Sequence, residues 1–421
     1  MADSEPVGEI GVLALDRKDF GRRVHAELTG NVLPFWANVA FDHERGGLHG
    51  RVNDDLVVDD STPRTAILCA RALWAFAASA RGLGDPGYLD TATLAYDALL
   101  DHFVDPVHGG VFWSVDADGA VVDDRKQVYA QAFAVYALAE YARAIGSAPP
   151  LALARELVEV IERHGADPVH GGYIEACTRD WREIDDMRLS PKDLNAPKSM
   201  NTLLHVMEAY TTFVQVTGDA TVRERLAELV EVILDHVVDA AAGRFRLFFD
   251  RAWRPLSATV SFGHDIEGAW LLAAAAAATG RADLRARAER AAVVMADAVY
   301  REGRDAEGAV LYELEPDTDD HPAHLDTDSH WWAQAEGAVG FLDAYRISGE
   351  PRFAEASRAC WEFIERHHVD PVFGDWFKVL DGERHPRPEY PKVGPWECPY
   401  HHVRACLELI RRLNEEPKEN R

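Results

Sequence analysis

The chain has 421 residues and a formal charge of −27, with 71 acidic side chains against 44 Lys and Arg. That balance argues against a nucleic-acid partner, whose phosphates need a basic surface, and against anionic membranes. Five cysteines (Cys69, Cys177, Cys360, Cys398, Cys406) show no CxxC spacing, and their odd number suits a reducing compartment better than a disulfide framework.

Residues 1–11 are acidic and lack the apolar core of a signal peptide, so a cytoplasmic location is expected. No apolar run reaches about 18 residues without a charge, which removes the expectation of a membrane span. Helical periodicity then recurs over 19–38, 65–80, 91–103, 126–145, 151–164 and 199–216. It continues over 222–238, 264–279, 282–300, 331–347, 352–368 and 400–414, giving about twelve helices in six pairs. Two long stretches fall outside the pattern, 52–63 and 178–197, the second carrying Trp181. Stretches of that length are expected as lids or binding loops.

Between the helices, a short turn rich in Asp and Gly leads into an extended aromatic segment six times. Asp105-Pro106-Val107-His108-Gly109-Gly110 and Asp167-Pro168-Val169-His170-Gly171-Gly172 are nearly identical. Others start at Asp42 and Asp370, with weaker copies at Asp239 and Asp305. The steps are about 63, 62, 72, 66 and 65 residues, the spacing of a helical repeat array. Six hairpins cannot each bury an apolar face alone. The expectation is one all-α domain over 1–421, six helical hairpins closed into a toroid with short rim strands and long loops, and frayed termini at about 1–10 and 414–421. Closure is preferred to an open solenoid because residues suited to a pocket recur in every repeat.

Four constellations lie at or near the starts of inner helices. Asn201, His205 and Glu208 fall at i, i+4 and i+7, on one helix face. His264 and Glu267 lie one turn apart after Gly263, Trp332 and Glu336 share a face beside Trp331, and Trp396 precedes His401. Taken singly, such a histidine is ordinarily a hydrogen-bonded core or surface group, and the tryptophans are ordinary core aromatics. There is no HExxH and the candidate ligands come from different repeats, so no metal is expected. Histidines at equivalent places in several repeats would converge in a toroid, where they suit proton transfer near neutral pH. Tryptophans beside them offer flat faces to the C–H side of a sugar. Arg71 stands in an otherwise apolar helical face, a costly place for a charge without a partner or a task.

The blocks Gly263-His264-Asp265-Ile266-Glu267, Trp331-Trp332-Ala333-Gln334-Ala335-Glu336 and Gly394-Pro395-Trp396-Glu397-Cys398-Pro399-Tyr400-His401 resemble the N-acylglucosamine 2-epimerase superfamily, above all its cellobiose 2-epimerase branch. The likeness runs nearly end to end, through Pro34-Phe35-Trp36, Arg71-Ala72-Leu73-Trp74, Tyr129-Ala130-Gln131-Ala132-Phe133 and Lys198-Ser199-Met200-Asn201. The resemblance implies an (α/α)6 barrel and a sugar 2-epimerase that uses neither metal nor cofactor. By the same resemblance Arg71, His205, His264 and His401 are catalytic. Asn201, Glu267, Trp332 and Trp396 are expected to bind substrate, with Tyr129, Trp331, Glu336 and the loop residue Trp181. His264 and His401 would exchange the C2 proton through a cis-enediolate, and Arg71 and His205 would stabilise its oxygens. Glu397 and His402 depart from the Lys and Asn that the family tends to carry there. The partner implied is a small-molecule sugar, and the chain is expected as a monomer or homodimer. Alternatives are an aldose–ketose isomerase on the same fold, a sugar-binding protein without catalysis, and an inverting glycoside hydrolase, which needs two carboxyls roughly 6.5–9.5 Å apart.

Overall fold

The computed structural model describes residues 8–317 and 322–415. The termini expected to fray lie mostly outside the described residues; a helix is already under way at Gly8 and the last one ends at Asn414. In chain order the helices are α1 (Gly8–Glu27), α2 (Leu33–Asn38), α3 (Ala66–Leu83), α4 (Tyr88–Ala98), α5 (Val128–Ile145), α6 (Ala148–Val160) and α7 (Met200–Thr217). There follow α8 (Ala220–Val232), α9 (Phe262–Thr279), α10 (Ala282–Glu302), α11 (Trp331–Ser348), α12 (Pro351–Phe363) and α13 (Tyr400–Asn414).

The odd-numbered helices from α3 to α13 form the inner ring. Each packs on the next, and α13 returns to α3, so the ring is closed and the open solenoid is excluded. Helices α4, α6, α8, α10 and α12 each back the inner helix before them. The sixth outer place belongs to α1, which packs on α13. The two ends of the chain therefore complete the barrel. Arg17 joins them, its Nη2 donating to the carbonyls of Leu413 (2.9 Å) and Glu415 (2.5 Å) at the end of α13. Helix α3 is long and apolar enough to cross a membrane by composition, but 83% of that stretch is buried in the barrel wall.

The Asp/Gly turns are built alike. In the turns at Asp42, Asp105, Asp167, Asp239 and Asp370 the carboxylate accepts the N–H groups two and three residues on, an Asx turn that satisfies backbone donors locally. Burial alone would raise these carboxyls. The turn's N–H groups and a cation together offset it: Arg64 on Asp42 (2.8 Å), Lys126 on Asp105 (3.0 Å), Lys198 on Asp167 (2.9 Å), Arg246 on Asp239 (2.7 Å) and Lys392 on Asp370 (2.8 Å). The three lysines are fully buried. Arg64, Lys126 and Lys198 stand in two-residue strands immediately before inner helices, and each of those strands pairs antiparallel with the extended segment of the following repeat. One ion pair thus ties the turn that closes one repeat to the residues that start the next inner helix.

Lys198→Met leaves Asp167 buried without its cation. It should cost about 3–5 kcal/mol, read as a lower midpoint in chemical denaturation.

Candidate active site

The inner helices aim their first turns at the barrel axis, and most of the residues singled out from sequence meet there. At the centre is one that was not. Arg404 of α13, buried, donates from Nη1 to Glu208 Oε1 (2.5 Å) and from Nη2 to Glu267 Oε1 (2.5 Å) and Glu336 Oε1 (2.6 Å). Three inner helices, α7, α9 and α11, are thereby bound to a fourth. Tyr400 Oη donates to Glu208 Oε2 (2.5 Å) and Trp270 Nε1 to Glu336 Oε2 (3.0 Å). The Glu267, Glu336 and His401 donor atoms lie within 4.8 Å of one another, a spacing a cation could use, but Arg404 already bridges the two carboxylates. Burial raises Glu208, yet Arg404 and then His205 outweigh it and hold its carboxyl well below the usual range. At Glu336 burial outweighs Arg404, and that carboxyl is raised.

Around this hub stand three histidines, each with Nδ1 engaged. His205 Nδ1 meets Glu208 Oε2 at 2.9 Å, His264 Nδ1 meets Ser261 Oγ at 2.8 Å, and His401 Nδ1 meets Glu336 Oε1 at 2.8 Å. With Nδ1 occupied, Nε2 is the nitrogen left for proton exchange. His264 and His401 lie on α9 and α13, on either side of α11, and both pack on the indole of Trp332, at 4.7 and 5.6 Å between ring centroids. Burial lowers both imidazoles, His264 to about 4, with Glu267 pulling each of them back the other way.

Arg71 of α3 is different from Arg404. Its Nη2 donates to Tyr129 Oη (2.7 Å), its Nη1 to Cys398 Sγ (3.4 Å), and its plane lies over Phe133 (4.2 Å) and Tyr400 (4.8 Å). Its Nε lacks a hydrogen-bond partner, as does that of Arg404, but unlike Arg404 it pairs with no carboxylate among the described residues. This answers the question its sequence position posed: the charge is buried among aromatic rings and left uncompensated. Asn201 is half-buried, with Oδ1 unpartnered. Trp396, also half-buried, stands beside Trp113 (5.8 Å) and Tyr129 (6.0 Å).

Three expected substrate-binding residues are placed otherwise. Glu267 and Glu336 direct carboxylate oxygens at Arg404. Trp181 is not brought to the site at all. It occupies a left-handed position (φ 65°) at a hairpin turn, donates Nε1 to the His108 carbonyl (2.8 Å) and stacks on His164 at 5.0 Å. Trp253 repeats this one unit later, at φ 70°, on the His170 carbonyl (2.7 Å) and against His236 at 5.1 Å. Trp181 is therefore a clasp over the Asp105 turn, as Trp253 is over the Asp167 turn. Trp331 is buried, with its ring 5.4 Å from Lys378 Nζ and 6.3 Å from His401, and its Nε1 is unpartnered. The sequence reading missed Arg404, Tyr400, Trp270 and Cys398. Arg404 was within reach by the reasoning applied to Arg71, being a charge on an apolar helix three residues after His401.

Residues 46–405 match the model of the N-acylglucosamine 2-epimerase (GlcNAc 2-epimerase) family. The chain belongs to this family. A cellobiose 2-epimerase of Bacteroides fragilis is 40% identical over 389 residues, covering 92% of this chain and 98% of that protein. The solved cellobiose 2-epimerase of Bacillus thermoamylovorans is 35% identical and superposes with a TM-score of 0.88, over 94% of this chain and 100% of that one. A D-mannose isomerase structure shares the fold, with a TM-score of 0.78 at 20% identity.

Glu208 sets a pH test. Its folded carboxyl titrates below the ordinary 4.5, so the stability it gives is full above that pH and is lost as pH falls through the lowered value. Glu208→Gln should melt below wild type at pH 7, and the gap should close as pH drops below 4.5.

Proposed function

We propose that the chain is a sugar 2-epimerase acting on the reducing-end aldose of a cellobiose-type disaccharide, or on free mannose, and inverting C2 between the glucose and mannose configurations. The carrying observation is the pair His264 and His401, which flank a single indole with Nδ1 engaged and Nε2 free. Family membership and the cellobiose 2-epimerase relatives support the same reading.

In this reading the sugar reacts as its open-chain aldehyde, with Trp332 and Trp396 against its C–H faces. One imidazole takes the C2 proton on Nε2, and the C2–H electron pair moves into a C1–C2 double bond as the aldehyde oxygen becomes an oxyanion. The other imidazole, carrying a proton, then delivers it to C2 from the opposite face, and the carbonyl re-forms. The reverse reaction exchanges the two roles: the pair holds one exchangeable proton before and after the reaction and two while the enediolate exists. Arg71 supplies the positive charge the enediolate needs. Its guanidinium is desolvated, fixed by Tyr129 and not neutralised by a carboxylate, the condition under which a preorganised donor is worth most. His205, fixed by Glu208, is the second donor.

His264→Asn and His401→Asn should each lower kcat by at least about 10²-fold with far smaller changes in KM. The direct test is proton NMR in D2O with cellobiose and, separately, mannose. Conversion to the C2 epimer with deuterium at C2 supports the proposal. Predominant ketose with deuterium at C1 would replace it with the aldose–ketose isomerase reading, and no exchange on either sugar would remove both.

A further inference from the structure

The turn that starts at Asp370 breaks the pattern of its counterparts. Its closing position is Gly47, Gly110 and Gly172 in three other repeats, at φ 73°, 74° and 71°. Here it is Asp375, at φ 57° and fully buried. An L-residue enters the left-handed region at a cost that glycine avoids. A second cost accompanies it. His402, also fully buried, lies between the indoles of Trp36 (6.2 Å) and Trp376 (5.1 Å), and its Nδ1 has no hydrogen-bond partner. An apolar ring would fill that slot without stranding a polar atom.

What the two residues gain is each other. Asp375 Oδ2 accepts from Lys378 Nζ at 2.7 Å, and Oδ1 stands 3.0 Å from His402 Nε2, close but out of line for a hydrogen bond. Burial pushes the Asp375 carboxyl up, but Lys378 and His402 more than offset it, so the group is ionised. This ion pair is additional to the one shared by the other turns, which Lys392 already makes with Asp370. At the offset of Lys378, eight residues after the turn Asp, other repeats carry Gly50, Trp113, Glu175, Leu247 and Glu313. The combination of an Asp and a Lys at these two offsets occurs only in the repeat that leads into α13. One residue before His402 on that helix, about 100° around it, is His401; two residues after it is Arg404. Any displacement of His402 turns the segment that sets both against Glu336.

We propose that Asp375 and His402 are a buried positioning pair, in which the carboxylate, 3.0 Å from Nε2, holds the His402 ring between the two indoles and so fixes the first turn of α13 where His401 reaches the reacting carbon. The role of His401 rests on the function proposed above.

The test uses His402→Phe, His402→Gln and Asp375→Asn in the full chain. Phe fills the slot between the tryptophans, Gln returns an N–H toward Asp375, and Asn tolerates the left-handed backbone. His402→Phe should melt near wild type yet lose roughly 10- to 100-fold in kcat at nearly constant KM, the scale of a small misplacement of a reacting group. His402→Gln should recover most of that loss, and Asp375→Asn should reproduce it. Wild-type kcat in a folded His402→Phe overturns the proposal, as does a Gln variant no better than Phe, which would reduce His402 to packing. Should His402→Phe fail to fold, Asp375→Asn decides alone: a fall in kcat at constant KM supports the pair, and an unchanged kcat overturns it. A readout independent of turnover separates this proposal from the function itself. In protein labelled at histidine Cε1, with His401 assigned by its loss in His401→Asn, the His401 resonance should move in Asp375→Asn even if neither sugar reacts. An unmoved resonance overturns the pair.

Discussion

The barrel depends on a single buried guanidinium. Arg404 binds Glu208, Glu267 and Glu336, one from each of α7, α9 and α11, while belonging to α13 itself. The ring formed by the inner helices closes only because the last of them, α13, returns to the first. A purely apolar axis would let these helices slide and rotate against one another at little cost, since apolar contacts have no direction. Charge-assisted hydrogen bonds in a low-dielectric interior have direction, and breaking one exposes an unpaired charge. The hub therefore fixes the rotation of each helix about its own axis. That rotation decides whether His205, three residues before Glu208, and His264, three residues before Glu267, face the lumen.

The carboxylates serve twice. Glu208 holds Arg404 with one oxygen and His205 with the other, and Glu336 accepts both Arg404 and His401 on one oxygen and Trp270 on the other. Structural and functional hydrogen bonds share acceptors, so the imidazoles inherit the positional precision of the ring. Only His264 lies outside this arrangement. Its partner is the hydroxyl of Ser261, in the strand pair that leads into its own helix.

Much of this was legible in the sequence because it repeats. The Asp turns recur at a nearly constant step and helical periodicity recurs between them, which gave the helix count, and pocket-type residues in every repeat gave the preference for a closed ring. The histidines, Arg71 and Trp332 could be read because polar groups at helical spacing stand out against an apolar face. What could not be read was whom a residue faces across the ring. Trp181 lies in a long loop of the kind that covers binding sites, and only three-dimensional structure shows its indole N–H committed to the His108 carbonyl. The buried lysines could not be told from surface residues, because their partners are 21 to 31 positions away in sequence and lie beneath them only once the turns have formed. Asp375 was visible as a departure from a Gly-Gly pair, yet nothing in one dimension tied it to His402, 27 residues on.

The two deep arginines show how one residue type can be put to opposite uses. Both are buried and both lie against the Tyr400 ring, at 4.8 Å for Arg71 and 4.2 Å for Arg404. Arg404 pairs through Nη1 and Nη2 with three carboxylates, which offset its charge. Arg71 is held by a phenol, a thiol and aromatic faces, which orient a guanidinium without neutralising it. An uncompensated buried cation destabilises a resting protein. It becomes favourable when an anion forms beside it, and an enediolate is such an anion, present only while the C2 proton is away. The cost carried by Arg71 in the empty barrel is thus the counterpart of stabilisation delivered to the intermediate. The hub around Arg404 engages all three carboxylates of the ring, while Arg71 is held by Tyr129, Cys398 and aromatic faces.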